Sequence, residues 1–204
     1  MNRLKMLCAG LLALGLTACA TGPTVVAHEP EGETLVSDFL TDEGLWLSDR
    51  FEELDSGHPE IGLFVETEFK TRPLHFFIVN TDPRKNDFTF FHPRNGLWPV
   101  YHREQRLIDG QVFETQVMPF HFVRGETGDF YKLINQTRFA APNCGLTQQF
   151  RRQEDTPYHI YVIKVVRCAQ MAMDFRQEER SNLYKNSQAL KDDTMNWFGW
   201  QVDP

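Results

Sequence analysis

The chain has 204 residues, with 21 basic residues against 28 acidic ones and a net charge of −7. This acidity argues against nucleic acid as a partner, because that binding depends on basic side chains that neutralise phosphates. The length suits one domain, or one domain with an appendage, and is sufficient to bury a sizeable core.

The first residues have the pattern of an export signal. Arg3 and Lys5 precede a short apolar run over residues 6–16, and small residues follow it. A basic start, an apolar stretch of roughly 7–15 residues and a small-residue cleavage site define such a signal. The run is shorter than the about 20 apolar residues that a membrane-spanning helix needs. We therefore expect residues 1–18 to be removed as a signal peptide.

The signal ends in Leu16-Thr17-Ala18-Cys19. These four residues resemble the lipobox of bacterial lipoproteins, in which an aliphatic residue and two small ones precede a cysteine. The resemblance implies cleavage before Cys19, a diacylglycerol on its sulfur and an acyl group such as palmitate on its new amino terminus. Each buried methylene contributes about 0.8 kcal/mol, so several acyl chains anchor a protein stably to a membrane. Cys8 fits less well, because Leu7 before it is not small.

Two alternatives concern this N-terminus. One is an ordinary secretory signal whose cleavage site happens to lie near a cysteine. The other is the choice of membrane: Ala20 follows the lipidation cysteine, and in enteric-type bacteria the lipoprotein resemblance then implies the outer membrane rather than the inner one. We expect a lipid-anchored protein of the cell envelope that faces the periplasm.

Loss of the signal makes the chain more acidic. Arg3 and Lys5 leave with it, so 21 basic residues become 19 against 28 acidic ones, a net charge of about −9. Such a chain has no polybasic segment to bind anionic headgroups, and the covalent lipid must hold it at the membrane alone.

The next segments are a tether and a helical region. Residues 20–33 contain two prolines, two glycines and no periodic apolar pattern, which predicts an acylated N-terminus and flexible tether over 19–33, with a span on the order of 20 Å. Residues 34–54 have mostly helical apolar spacing with a break at Gly44. This spacing predicts one or two short helices at the start of a single periplasmic domain, residues 34–204.

Beyond residue 60 the chain is rich in β-branched and aromatic residues separated by polar turns. This pattern predicts an antiparallel sheet. Asp109-Gly110 is the strongest hairpin signal, because a two-residue loop needs left-handed conformations that this pair tolerates. Residues 74–79 are expected to form a central strand, and Pro119 indicates an edge or a bulge. The predicted strands are 61–69, 74–80, 88–91, 96–102, 106–123, 130–139 and 158–168.

The C-terminal region completes an α+β fold, in which an aromatic-rich antiparallel sheet is flanked by N-terminal and C-terminal helices. Residues 173–194 are charged, with sparse apolar contacts, and are predicted to be mainly helical. Trp197, Phe198 and Trp200 follow. We expect these rings to fold back onto the core; the alternative is a docking peptide for a partner.

Two cysteines remain after export and acylation, Cys144 and Cys168. Two thiols in an oxidising compartment predict one disulfide. The competing interpretation is a reactive cysteine: Asn143-Cys144-Gly145 is weakly similar to the nucleophile segment of periplasmic cell-wall peptidases. In that family a serine or alanine separates the cysteine from the glycine, and the histidine lies far downstream. Here only His159 follows Cys144.

Four histidines, His75, His92, His102 and His121, lie in the aromatic region. Zinc sites need three or four converging ligands, and no HxxxH, HxH or Cys/His spacing supports one. The sequence also contains no GxSxG, HExxH, phosphate-binding glycine loop or dinucleotide motif. We therefore predict no catalytic residues, no metal and no cofactor.

The 17 phenylalanines can be interpreted in two ways. Large rings pack well in a sheet core, whereas an aromatic groove would bind a lipid, sugar or peptide. The leading functional hypothesis is a non-catalytic binding or scaffold domain of the envelope, working with the membrane and with another envelope protein. The alternatives are a carrier or sensor of an apolar or sugar ligand, and a metal-dependent envelope hydrolase.

Overall fold

The computed structural model describes residues 24–26, 32–69, 71–82, 100–121, 129–152, 158–169, 171 and 181–200. Three helices in these residues are α1 (Asp38–Asp42), α2 (Asp129–Asn135) and α3 (Asn182–Thr194). The strands are β1 (Thr24–Val26), β2 (Leu45–Leu47), β3 (Glu52–Leu54), β4 (Ile61–Glu68), β5 (Arg72–Asn80), β6 (Tyr101–Ile108), β7 (Gln111–His121), β8 (Cys144–Arg152), β9 (His159–Val165) and β10 (Phe198–Trp200).

Eight of these strands form one sheet in the order β1-β6-β7-β8-β9-β5-β4-β3. Its neighbouring strands are antiparallel except β1, which runs parallel to β6. Asp109 and Gly110 link β6 to β7 with φ angles of 45° and 82°. Two left-handed residues are what a type I′ turn requires. The α+β class and the Asp109-Gly110 hairpin are both confirmed.

Both faces of the sheet are covered. Phe77 and Val79 of β5 point to one face, and Phe76 and Ile78 point to the other. All four side chains are fully buried, so residues 74–79 form a strand covered on both sides, as predicted. Each buried ring or aliphatic side chain contributes about 1.5–3 kcal/mol relative to exposure.

We call the face that carries Phe77 and Val79 the terminal face; it packs against α1, β2, α3 and β10. We call the face that carries Phe76 and Ile78 the α2 face, because it packs against α2. Most of the large rings that the structure describes belong to these two layers, which supports the interpretation of the phenylalanines as core. The fully buried phenylalanines are Phe51, Phe64, Phe76, Phe77, Phe113, Phe130, Phe150 and Phe198.

The predicted helices over 34–54 are wrong beyond Asp42. Ser37 caps α1 by accepting a hydrogen bond from the Leu40 amide, and Gly44 follows the helix with a φ of 64°. The chain then forms β2 and β3. Leu45–Leu47 is buried throughout and pairs with β10, so tertiary pairing overrides the helical spacing of the apolar residues.

Two further predictions need correction. Residues 130–139 were predicted as a strand, but 129–135 form α2, because Phe130, Leu133 and Ile134 share one helical face and are buried on the sheet. Part of the predicted tether is also structured, since Thr24–Val26 pairs with Arg106–Ile108.

The strand that contains Pro119 is an interior strand, β7 between β6 and β8, so the edge alternative of its prediction is wrong. The β6–β7 pairing does have an irregularity near it, a register shift between Tyr101 and Glu104. Pro119 pairs with Leu146 of β8 and lies two residues past Val117, which pairs with Tyr101 of β6. Among the described residues the β6–β7 pairing ends at Val117, and a residue without an amide hydrogen is tolerated beyond the end of such a pairing.

The C-terminal rings fold back onto the core, as predicted. After α3, β10 pairs antiparallel with β2, Phe198 opposite Leu47. The Phe198 ring lies 5.1 Å from that of Phe77 and 5.2 Å from that of Phe150, between centroids. Residues 173–180 of the predicted helix, the predicted strand 88–91 and residues 96–99 of the predicted strand 96–102 lie outside the described residues.

Candidate functional site

Cys144 and Cys168 form a disulfide, with sulfur atoms 2.03 Å apart and Cα atoms 5.2 Å apart. Cys144 begins β8, and Cys168 follows β9, so the bond ties the ends of two neighbouring strands. The predicted pairing is confirmed. A sulfur in a disulfide is not a nucleophile, because attack requires the thiolate; the reactive-cysteine interpretation of Cys144 is therefore wrong.

The four histidines have different surroundings. His92 lies outside the described residues, as does the side chain of His121. His75 contacts Glu66 and Trp197, whereas His102 contacts Ser187 and Tyr184. In the part of the chain that the structure describes, no three His, Cys, Asp or Glu side chains are grouped so as to hold a metal ion.

Arg50, Glu66, His75 and Trp197 form one contact group, which we call the Glu66 cluster. Glu66 accepts hydrogen bonds from Arg50 and, at 2.6 Å, from Nδ1 of His75. The side chains of Glu66 and His75 are each 13% exposed. Arg50 also lies over the Trp197 ring, 4.6 Å from its centroid. A carboxylate from β4 thus organises two groups that both contact the C-terminal segment.

The electrostatics of the Glu66 cluster favour the ionised carboxylate. Burial raises the pKa of Glu66, but the hydrogen bonds and positive charges of His75 and Arg50 outweigh it, so that its pKa is lowered. Opposite charge and hydrogen bonding to the charged form are the two effects that can exceed desolvation. No sequence pattern indicates this cluster, because its members come from four separate segments.

His102 and Ser187 have the residue types of a catalytic pair. Nε2 of His102 lies 3.1 Å from Oγ of Ser187, and this Oγ lies 2.6 Å from the carbonyl oxygen of Tyr184. Since a carbonyl only accepts, the serine hydroxyl donates to Tyr184 and accepts from His102. A serine nucleophile instead gives its proton to the histidine. Ser187 is also completely buried. The pair therefore fastens α3 to β6.

Charged side chains extend this attachment of α3. Glu104 binds Arg106 and, at 3.0 Å, Lys191 of α3. Burial raises the pKa of Glu104, but the hydrogen bonds from Lys191 and Arg106 outweigh it and lower the pKa. For His102, burial and the nearby Lys191 charge lower the pKa, so that the neutral imidazole is favoured. The group has the character of a structural ion-pair network.

A shallow, open cleft of about 370 Å³ lies between the end of β3 and the end of α2. Arg138 lines it, pairs with Glu52 and lies 4.9 Å over the Phe139 ring. The other lining residues are Leu54, Asp55, Gly57, Gln136 and Thr137.

The turn between β4 and β5 carries an exposed aromatic ring that sequence reasoning missed. Phe69 is 87% exposed and has a φ of 55°. Beside it, Glu68 and Arg72 form an ion pair at 3.2 Å. Phe69 was predicted to end a strand. The polar and charged residues Thr67, Glu68 and Thr71 around it are the signal that could have marked it as a turn.

Comparisons of the chain with protein-family models, with curated proteins and with solved structures found no significant match. Among the described residues, no helix combines the length and apolarity needed to cross a membrane. Cys19 and the segment before it lie outside these residues.

Proposed function

We propose that this protein is a bacterial lipoprotein whose folded domain acts as a non-catalytic binding or scaffold module of the cell envelope. The observation that carries the proposal is Leu16-Thr17-Ala18-Cys19 at the end of a short apolar run with a basic start. Acylated Cys19 holds the domain at the membrane, on the periplasmic face of the outer membrane.

The disulfide supports the export half of the proposal. The Cys144–Cys168 bond is buried at Cys144 and joins two strands of the main sheet. Structural disulfides form and persist in oxidising compartments and are rare in the cytosol. A periplasmic location gives this bond the environment that it needs.

The side-chain contacts support a binding or scaffold role. Two polar groups that include histidines, the Glu66 cluster and the His102–Ser187 pair, each hold a C-terminal element on the sheet. The Glu66 carboxylate, Nδ1 of His75, Nε2 of His102 and Oγ of Ser187 each have a hydrogen-bond partner inside the fold. A sheet that is covered on both faces and has two strand ends tied by a disulfide is a rigid support for surface contacts. The partner we propose for those contacts is another envelope protein.

Two cysteine variants test the anchor. Cys19→Ser removes the lipidation site, and Cys8→Ser is the matched control because Cys8 leaves with the signal. We expect Cys19→Ser to lose labelled fatty acid and membrane association while Cys8→Ser behaves as the parent protein. A Cys19→Ser protein that is processed and membrane-bound like the parent would refute the proposal.

The scaffold role has its own test. Crosslinking in intact cells, followed by recovery of this chain, should yield at least one protein neighbour in the envelope. Recovery of the chain without any protein neighbour, at crosslinker concentrations that capture known envelope complexes, would contradict that role and leave the anchor assignment standing.

A further inference from the structure

The two ends of the disulfide differ in their exposure to solvent. Cys144 is 2% exposed and belongs to the hydrophobic layer on the terminal face, whereas Cys168 is exposed. Thiol–disulfide exchange proceeds by attack of a thiolate on one of the two sulfur atoms, and access helps to decide which sulfur is attacked. A dissolved thiol therefore reaches this bond from the Cys168 side.

The accessible end of the bond has no structural explanation. Disulfides that only stabilise a fold resist reduction, whereas exposed ones are the disulfides that exchange with other thiols. The tie between the ends of β8 and β9 does not require Cys168 to be exposed, since a covered sulfur would form the same tie. Stabilisation therefore accounts for the bond but not for its exposure at Cys168.

The backbone holds the two cysteines together without the help of the bond. The pairing of β8 with β9 begins at Gly145 opposite Val165 and continues over seven residue pairs. Next to it, the Val166 amide donates a hydrogen bond to the carbonyl oxygen of Cys144 at 3.1 Å. None of these hydrogen bonds involves a sulfur atom, so opening of the disulfide leaves the strand pairing in place.

The chain after Cys168 is also fastened to the domain. Met171 is 2% exposed within the hydrophobic layer of the terminal face, and its amide donates to the Arg167 carbonyl oxygen at 3.3 Å. Cys168 thus lies between Val166, which is bonded to β8, and Met171, which is buried in the core. A reduced Cys168 stays near Cys144, and this proximity favours closure of the bond.

We propose that the Cys144–Cys168 bond is a reversible thiol-exchange site whose electrophilic atom is Sγ of Cys168. An incoming thiolate attacks this atom and forms a mixed disulfide with it. The Cys144 sulfur leaves with the electron pair of the old bond and takes a proton from water. A second thiolate then attacks the incoming sulfur and releases Cys168, so that two thiols are oxidised to one disulfide. Attack by Cys144 on Cys168 reverses the first step.

The test maps the position at which glutathione attaches to the full chain. The native protein is incubated with reduced glutathione, quenched with excess N-ethylmaleimide and digested with trypsin in the absence of reductant. Cleavage after Arg151 and Arg167 places Cys144 and Cys168 in different peptides. Because mass spectrometry identifies the modified cysteine, the result does not depend on whether the chain carries a lipid.

We expect glutathione on Cys168 and N-ethylmaleimide on Cys144 to exceed the reverse arrangement by at least about tenfold, because access selects the attacked sulfur. The rate of this reaction should rise in proportion to the glutathione concentration. The same reaction in concentrated urea is the control. Unfolding exposes both sulfur atoms, so the two arrangements should there be about equally frequent.

Three results would overturn the inference. The first is attachment of glutathione to Cys144 of the native protein as often as to Cys168. The second is a reduction rate that does not depend on the glutathione concentration, because exchange would then wait for unfolding. The third is a native bond that does not react with glutathione while the bond of the urea-unfolded chain does.

A second arm distinguishes the two sources of a thiolate, a small thiol and a dithiol protein. Thioredoxin replaces glutathione at the same thiol concentration, and the rates of bond opening are compared. Opening at least about tenfold faster with thioredoxin assigns the exchange to a protein partner, whereas similar rates assign it to small thiols. With either reagent the incoming sulfur should be found on Cys168, and its attachment to Cys144 instead would contradict the proposal.

Discussion

The imidazole of His75 meets the indole of Trp197 edge to face, with ring centroids 4.8 Å apart. Because His75 also donates to Glu66, and Arg50 binds both Glu66 and the Trp197 ring, the start of the C-terminal segment is held by a charged group on the sheet. Strand β10 then places Phe198 in the core. The last described residues are therefore part of the folded structure and not an appendage.

Truncation of the Phe198 ring should strongly destabilise the domain. Phe198 is fully buried between Phe77 and Phe150, and Phe198→Ala is expected to lower the free energy of unfolding by about 3–5 kcal/mol. Phe69→Ala is the control, since an 87% exposed ring should change stability by no more than about 0.5 kcal/mol. Urea unfolding measures both, and similar losses for the two variants would contradict the packing described.

Loss of the disulfide should cost a comparable amount. The bond closes a loop between residues 24 apart in sequence, for which chain entropy gives about 3.5 kcal/mol. Reduction, or the Cys144→Ser/Cys168→Ser double substitution, should lower the urea midpoint accordingly. Reductant should not affect the double variant. If reductant leaves the parent protein unchanged while the thiols become alkylated, the bond does not stabilise the fold.

Glu66 should make the protein sensitive to acid. Its folded pKa lies below its ordinary value of 4.5, so the folded state favours the carboxylate. The resulting stability is complete above pH 4.5 and is lost as the pH falls through the folded pKa. Glu66→Gln should be less stable at pH 7, and the deficit should shrink below pH 4.5.

Urea unfolding across this pH range measures the Glu66 effect. Glu53→Gln is the control, because Glu53 is exposed on β3 and its substitution should leave the pH profile unchanged. A deficit of Glu66→Gln that stays constant down to pH 3 would show that the loss comes from packing rather than from ionisation.

Replacement of a buried hydroxyl should stabilise the protein. Thr147 is fully buried on β8, and its Oγ1 has no hydrogen-bond partner. Because an unsatisfied buried hydroxyl carries an uncompensated desolvation cost, the isosteric Thr147→Val should raise the free energy of unfolding by about 1 kcal/mol. Thr194 is the matched control: it is equally buried but donates to the Leu190 carbonyl. Thr194→Val should lower the free energy of unfolding. If it raises that free energy as Thr147→Val does, both gains come from the added apolar methyl group and not from removal of an unsatisfied hydroxyl.

Local patterns predicted much of the fold. Asp109-Gly110 predicted a hairpin because the chemistry of a two-residue turn is local. The burial of residues 74–79 and of the rings of Trp197, Phe198 and Trp200 could be predicted because these segments carry more apolar surface than can stay in water. The aromatic content of residues 130–139 favours a strand, but Phe130, Leu133 and Ile134 have helical spacing, and the structure follows that spacing.

Other features depend on contacts between distant segments. The short strand 45–47 exists through its pairing with 198–200, which no local pattern specifies. The same holds for the parallel pairing of Thr24–Val26 with β6 and for the partners of His75 and His102. The exposed Phe69 turn lacks the glycine or asparagine that usually marks a left-handed residue, so only its polar and charged neighbours Thr67, Glu68 and Thr71 indicate a turn there.

The intact mass of the protein purified from bacterial membranes tests the lipoprotein assignment. We expect a chain that begins at Cys19, carries a diacylglycerol and an amide-linked acyl chain at that residue, and has Cys144 joined to Cys168. An unmodified chain that begins at Met1, or one cleaved elsewhere and free of lipid, would contradict it.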